Sequence, residues 1–187
     1  MDFMCKSLLL TAGIFGASLV HASNAGVSLT NDTVKGNINL NMGSFGINAG
    51  FTRDDDASTS TAHVGVTVED ADTSGPLQVG IGVRLYAIDA DLENQDDLAF
   101  AVGLGGWYRY TIPEANRVSI FGSLYYSPEV LSFSNLDHMY TYDIRLEYMT
   151  MRNARAYVSY GRTVTVYDDN SRREIDKGIS IGANVEF

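Results

Sequence analysis

The chain has 187 residues and a formal net charge of −10, with 13 Lys plus Arg against 23 Asp plus Glu. That length suits one domain, and the acidic balance argues against a nucleic-acid partner, whose phosphates need a basic face. Eighteen glycines, eleven tyrosines and only three prolines favour strands and tight turns over helices.

Residues 1–25 read as an export leader. Lys6 supplies a weak positive start, and an apolar stretch from Leu8 to Val20 follows. Small residues then offer cleavage after Ala22 (Val20-His21-Ala22) or after Ala25 (Ser23-Asn24-Ala25). The stretch is shorter than the roughly 20 apolar residues a membrane-spanning helix needs. Cys5, the single cysteine, precedes it and would leave with the leader. The mature domain, 26–187, then has no disulfide or thiolate metal site.

Downstream the dominant signal is period two, the mark of strands with two unlike faces. In chain order, Val27–Leu29 is a short strand that turns at Asn31-Asp32. Ile38, Leu40 and Met42 alternate with asparagines. Phe45, Ile47 and Phe51 alternate with Gly46, Asn48 and Gly50. Val64, Val66 and Val68 follow, then Leu77, Val79, Ile81, Val83 and Leu85, then Leu98, Phe100, Val102, Leu104 and Tyr108. Val118, Ile120 and Leu124 come next, followed by Tyr140 to Tyr148 and Ala156 to Tyr167, where Arg162 falls on the apolar face and is expected to snorkel at the outer interface. The last strand places Ile179, Ile181, Ala183, Val185 and Phe187 on one face and Gly178, Ser180, Gly182, Asn184 and Glu186 on the other. No later apolar run lacks this alternation, so a membrane could be entered only by a closed barrel.

Connections alternate in length. Those at 41–45, 69–76, 111–117 and 150–155 are short. Those at 53–60, 88–97, 127–138 and 167–177 are longer and hold fourteen acids against four bases. This is expected when periplasmic turns and external loops alternate. The pattern predicts an all-β, antiparallel up-and-down transmembrane barrel of about ten strands (eight if the first segments merge), with both termini periplasmic. Tyr108, Tyr110 and Tyr148 near the short turns, and Tyr125 and Tyr126 near a long loop, suit interface girdles. The acidic external rim would meet lipopolysaccharide through bridging divalent cations.

The opposite face of the alternation directs His63, Glu69, Arg84, Tyr86, Trp107, Arg109, Asp143, Arg145, Glu147 and Glu186 into the lumen. Isolated charges there are costly to desolvate, so ion pairs among Glu69, Arg84, Arg109, Asp143, Arg145, Glu147 and Glu186 are expected to fill it. No catalytic residue is expected: His63 and His138 lie near no nucleophile motif of the G-x-S-x-G kind. No cofactor and no metal site are expected either. Asp54-Asp55-Asp56 and Asp89, Asp91, Glu93, Asp96 and Asp97 are oxygen-rich enough to suit calcium, but their spacing matches no EF-hand and fits a solvated loop.

The segment Gly122-Ser123-Leu124-Tyr125-Tyr126-Ser127-Pro128-Glu129-Val130-Leu131-Ser132-Phe133, with the Gly-rich strand Ala101–Tyr110, the turn at Pro113 and the strand Tyr142–Met149, resembles the YfaZ family of outer-membrane proteins over roughly Val64 to Phe187. The resemblance implies a small integral barrel of the Gram-negative outer membrane and supplies no active-site residues. Ile179, Ile181, Ala183, Val185 and Phe187 resemble the terminal signal read by the barrel-assembly machinery. The expected function is structural or surface-interacting, by a monomer whose partners are outer-membrane lipid, lipopolysaccharide and that machinery. A narrow channel for small solutes is the alternative, and a lipid-modifying enzyme a more distant one.

Overall fold

The computed structural model describes residues 23–70, 75–90 and 98–187. The leader up to Ala22, and the acids Asp91, Glu93, Asp96 and Asp97, lie outside the described residues. Eleven strands follow one another: β1 (Asn24–Leu29), β2 (Thr33–Asn41), β3 (Phe45–Asp54), β4 (Thr59–Glu69), β5 (Leu77–Ala90), β6 (Leu98–Thr111), β7 (Val118–Ser127), β8 (Ser132–Phe133), β9 (Leu136–Met151), β10 (Ala154–Tyr167) and β11 (Arg172–Glu186). Each long strand pairs antiparallel with its neighbours. β5–β6 and β1–β11 complete the circuit, so ten strands close a barrel. The two-residue β8 pairs only with Phe100 and Ala101 of β6, beyond the end of β7. Closure gives every strand of the wall a partner on both sides, which is the condition for a sheet to cross hydrocarbon.

The apolar face points outward. Val64, Val66, Val68, Leu77, Val83, Leu85, Ile144, Leu146 and Val158 are all exposed, and Ile81 is 72% exposed. A soluble sandwich would bury these residues. Moving each such side chain from water into lipid is worth about 1.5–3 kcal/mol, so the surface is built for a bilayer. Tyr108, Tyr110, Tyr126 and Tyr148 join this outer face. Tyr125 does not: it is 1% exposed and lies inside the barrel, a correction to the girdle assignment that the odd phase of β7 explains.

The predicted turn at Asn31-Asp32 joins β1 to β2, closed by Thr33 N donating to Thr30 Oγ1 at 2.8 Å. Ser23 and Phe187 exchange both backbone hydrogen bonds, at 3.0 and 2.8 Å, so the two ends of the described chain share one rim. The connections 42–44, 112–117 and 152–153 lie at that rim, with the end of β4 and the start of β5. The connections 30–32, 55–58, 128–135 and 168–171 lie at the far rim, with the end of β5 and the start of β6. The expected long loop 167–177 is thus mostly strand and 53–60 is half strand, because β3, β4, β10 and β11 run on past the point where charge enters their sequences.

The wall is uneven. β1 ends at Leu29, paired with Ile181, so β11 residues 172–180 have no β1 neighbour. Register shifts between Gly161 and Thr163 where β10 meets β11, and β11 carries positive φ at Asp176 (57°) and Gly178 (138°). This break lets the first half of β11 lean over the low β1–β2 hairpin. Asp176 N donates to Asp54 Oδ2 at 2.7 Å, and Arg173 Nη1 donates to the Ala57 carbonyl at 3.3 Å.

Candidate functional site: the barrel lumen

The lumen has two storeys. Towards the far rim, Tyr86 and Ile88 of β5, Ala99 and Ala101 of β6, Tyr125 of β7, Leu136 and Met139 of β9, Tyr167 of β10 and Ile175 of β11 form one buried apolar cluster. These residues continue the inward phase of strands whose middle parts are polar inside. Ile88 and Ala101 are fully buried. The far end of the barrel is therefore plugged by a small hydrophobic core.

Beneath the plug the interior is polar. Arg109 donates from Nε to Glu147 at 2.9 Å and from Nη2 to its other oxygen at 3.5 Å. Arg155 lies 3.0 Å from Glu186 and 4.0 Å from Glu147. Arg145 donates to Asp143 at 2.6 Å and sits between the rings of Phe121 and Tyr157, 4.9 and 4.7 Å from their centroids. Lys35 donates to Asp176 at 2.6 Å. Glu147 is completely buried, so its two arginines compensate a charge that water does not reach.

Five of the seven expected ion-pair residues are in carboxylate–guanidinium contact, and Arg155, Lys35 and Asp176 join them. The remaining two have neutral partners. Arg84 donates to Asn48 Oδ1 at 2.9 Å and stacks on the Tyr125 ring at 3.8 Å. Glu69 accepts from Asn41 Nδ2 and from Thr67 Oγ1, both at 3.2 Å. The reason is position: Arg84 lies high against the aromatic part of the plug, and Glu69 lies low beside the asparagines of β2. Lys35 and Arg155 carried a usable signal, since both share the inward phase of their strands. Asp176 also lies on the inward phase of Ser180 to Glu186, and the bulge beside it brings Ile175 inward as well.

Large lumen side chains lie flat across the wall. The ring of Trp107 covers Gly80 of the neighbouring strand so closely that a Cβ there would stand 2.5 Å from Trp107 Nε1. Asn184 covers Gly26 in the same way. What stays open is a cavity of about 170 Å³, bordered by Asn37, Asn39, His63, Arg84, Trp107 and Phe121 among others. A cavity of this size holds a handful of waters, each taking about 30 Å³, and it ends under the plug. The expectation of a filled lumen is thus refined: the far end is packed, and the middle is lined.

Arg162 sits at the register shift and pairs with Glu174, which also meets Arg172 at 3.2 Å and Lys177 at 3.3 Å. It is therefore held by a carboxylate rather than left to snorkel. Asp54 and Asp176 are buried, and Glu174 is taken up by these bases, so part of the far-rim acidity is internal structure rather than free surface. His138 contacts Asp137 at 2.6 Å. Among the described residues no group of three His, Cys, Asp or Glu is placed to hold a metal ion.

A family model described as YfaZ precursor matches residues 4–187. The chain belongs to the YfaZ family. No curated protein matches it. Among solved structures, this YfaZ-family barrel is similar to the outer-membrane-expressed OmpT of Vibrio cholerae, with 15% identity and a TM-score of 0.43 over 83% of this chain and 56% of that one. It is similar to the KdgM porin, with 12% identity and a TM-score of 0.45 over 89% of this chain and 99% of that one. It is also similar to the outer-membrane channel DcaP of Acinetobacter baumannii, with 11% identity and a TM-score of 0.45 over 87% of this chain and 54% of that one. The chain thus spans about half the length of OmpT and DcaP and nearly all of the KdgM porin. Its own closed sheet, outward apolar belt and precursor family make the YfaZ-family chain an exported outer-membrane β-barrel.

Proposed function

We propose that this protein is a closed, monomeric outer-membrane barrel that acts through its fold and its outer surface, without catalysis and without steady conduction. One observation carries the reading: the apolar plug of Ile88, Ala99, Ala101, Leu136, Met139, Tyr167 and Ile175 at the far end of the lumen. An ion crossing it would shed most of its hydration shell, with only the hydroxyls of Tyr86, Tyr125 and Tyr167 there to meet it. In this reading the rim where Ser23 meets Phe187 faces the periplasm, and the strand of Ile179, Ile181, Ala183, Val185 and Phe187 is presented to the assembly machinery. The apolar belt meets lipid, and the exposed far-rim acids, such as Asp55, Asp56, Asp168 and Asp169, face lipopolysaccharide. Purified protein in planar bilayers should then be electrically silent; large, steady open-pore currents would overturn the proposal.

A second reading, a narrow channel for small solutes, is favoured by the polar cavity beneath the plug. It requires the β11 lean to lift, so Asp176→Ala, which loses the Lys35 contact, should produce solute uptake in proteoliposomes under that reading and none under the first.

A further inference from the structure

We infer that the export leader is removed between Ala22 and Ser23, and that the mature chain begins at Ser23. Both candidate sites satisfy the small-residue pattern, Val20 with Ala22 and Ser23 with Ala25, so the leader sequence alone does not choose. The barrel seam does. Ser23 exchanges both backbone hydrogen bonds with Phe187. Asn24 and Ala25 then pair with Glu186 and Val185 on one side and with Asn39 and Ile38 on the other. β1 is the shortest strand of the closed wall, and it alone joins β2 to β11. Cleavage after Ala25 would remove two of its six residues and strip the end of β11 of its partner. It would also place a new ammonium on Gly26, a buried residue beneath Asn184 with no carboxylate at that level of the register. Backbone groups and charge would then stand uncompensated in the wall.

Cleavage after Ala22 has the opposite effect. The step is peptide hydrolysis by an export peptidase selective for small residues. Water's oxygen adds to the Ala22 carbonyl carbon, the bond to the Ser23 nitrogen breaks, and both water protons finish on that nitrogen. An Ala22 carboxylate leaves with the leader, and a Ser23 ammonium remains. That nitrogen already lies 3.0 Å from the Phe187 oxygen. Its hydrogen bond becomes charge-assisted, the stronger class, at the point where the first and last strands meet.

The test is intact-mass measurement and N-terminal sequencing of the protein purified from outer membranes. A mature chain starting at Ser23 is expected; a start at Gly26, or at any other residue, overturns the inference. Ala25→Leu provides a second arm, because Ala25 shares the lipid-facing side of the wall with Val185 and Ile38, where leucine is accommodated, yet leucine blocks a cut after residue 25. Unchanged processing to Ser23 supports the inference, and accumulation of uncleaved precursor overturns it.

Discussion

The two storeys of the lumen solve one problem by opposite means. Both are spaces within a ten-stranded wall that must not be left empty. The far end is filled by Tyr86, Ile88, Leu136, Met139, Tyr167 and Ile175, as a soluble core would be. The middle is held by buried charges in mutual contact, with Glu147 between Arg109 and Arg155. Apolar packing tolerates loss of a group in proportion to the cavity created. A buried ionic cluster is less forgiving, since removing one member strands the others. The comparison teaches that the barrel's most sensitive position is in its polar half, although its seal is in its apolar half.

Unfolding by denaturant in detergent, followed by the migration shift in electrophoresis, can break or sharpen this contrast. Glu147→Ala should be the most damaging change, at about 3–5 kcal/mol, because Arg109 loses its counter-charge inside the barrel and Arg155 is left with Glu186 alone. Replacing Glu147 and Arg109 together by Leu and Met should be far milder than that single change; equal damage would mean that lost packing, not stranded charge, sets the cost. Ile88→Ala should cost about 2–4 kcal/mol. It should also be the variant that first admits ions in bilayers, whereas Glu147→Ala should not. Gly80→Ala should cost about 1–3 kcal/mol by pushing the Trp107 ring off the wall, with the fluorescence of this sole tryptophan reporting the displacement. Arg53→Ala, which breaks a solvent-exposed contact with Asp55 at 3.1 Å, should change stability by under about 1 kcal/mol.

Most of the wall was legible in the sequence, for a simple reason: period two survives wherever one face meets lipid and the other a polar lumen. The ten strands, the first hairpin at Asn31-Asp32 and the inward set from His63 to Glu186 all follow from that rule. It fails where the environments change. On β5 the even positions run Gln78, Gly80, Gly82, Arg84 and then Tyr86, Ile88 and Ala90. From Leu85 to Ile88 both faces are therefore apolar, the alternation in hydropathy fades, and with Asp89 next the segment looks like the start of a loop. The phase was still present, and extending it would have located the plug. The lean of β11 was not legible in this way, because the bulge between Ile175 and Gly178 lets residues of both phases face inward and the partners of Asp176, Asp54 and Lys35, lie more than a hundred residues away. Charge misled for the same reason: Asp54 and Asp176 read as solvated acids and are internal hydrogen-bond partners.

The break at Gly178 divides β11 into two tasks on one strand. Below it, Ile179 to Glu186 zip against β1 and shut the circumference; above it, Arg172 to Asp176 cover the shortest side of the cylinder. The staves and the cask-head are therefore cut from the same piece of wood. Removing that one strand would therefore open the circumference and uncover the shortest side together.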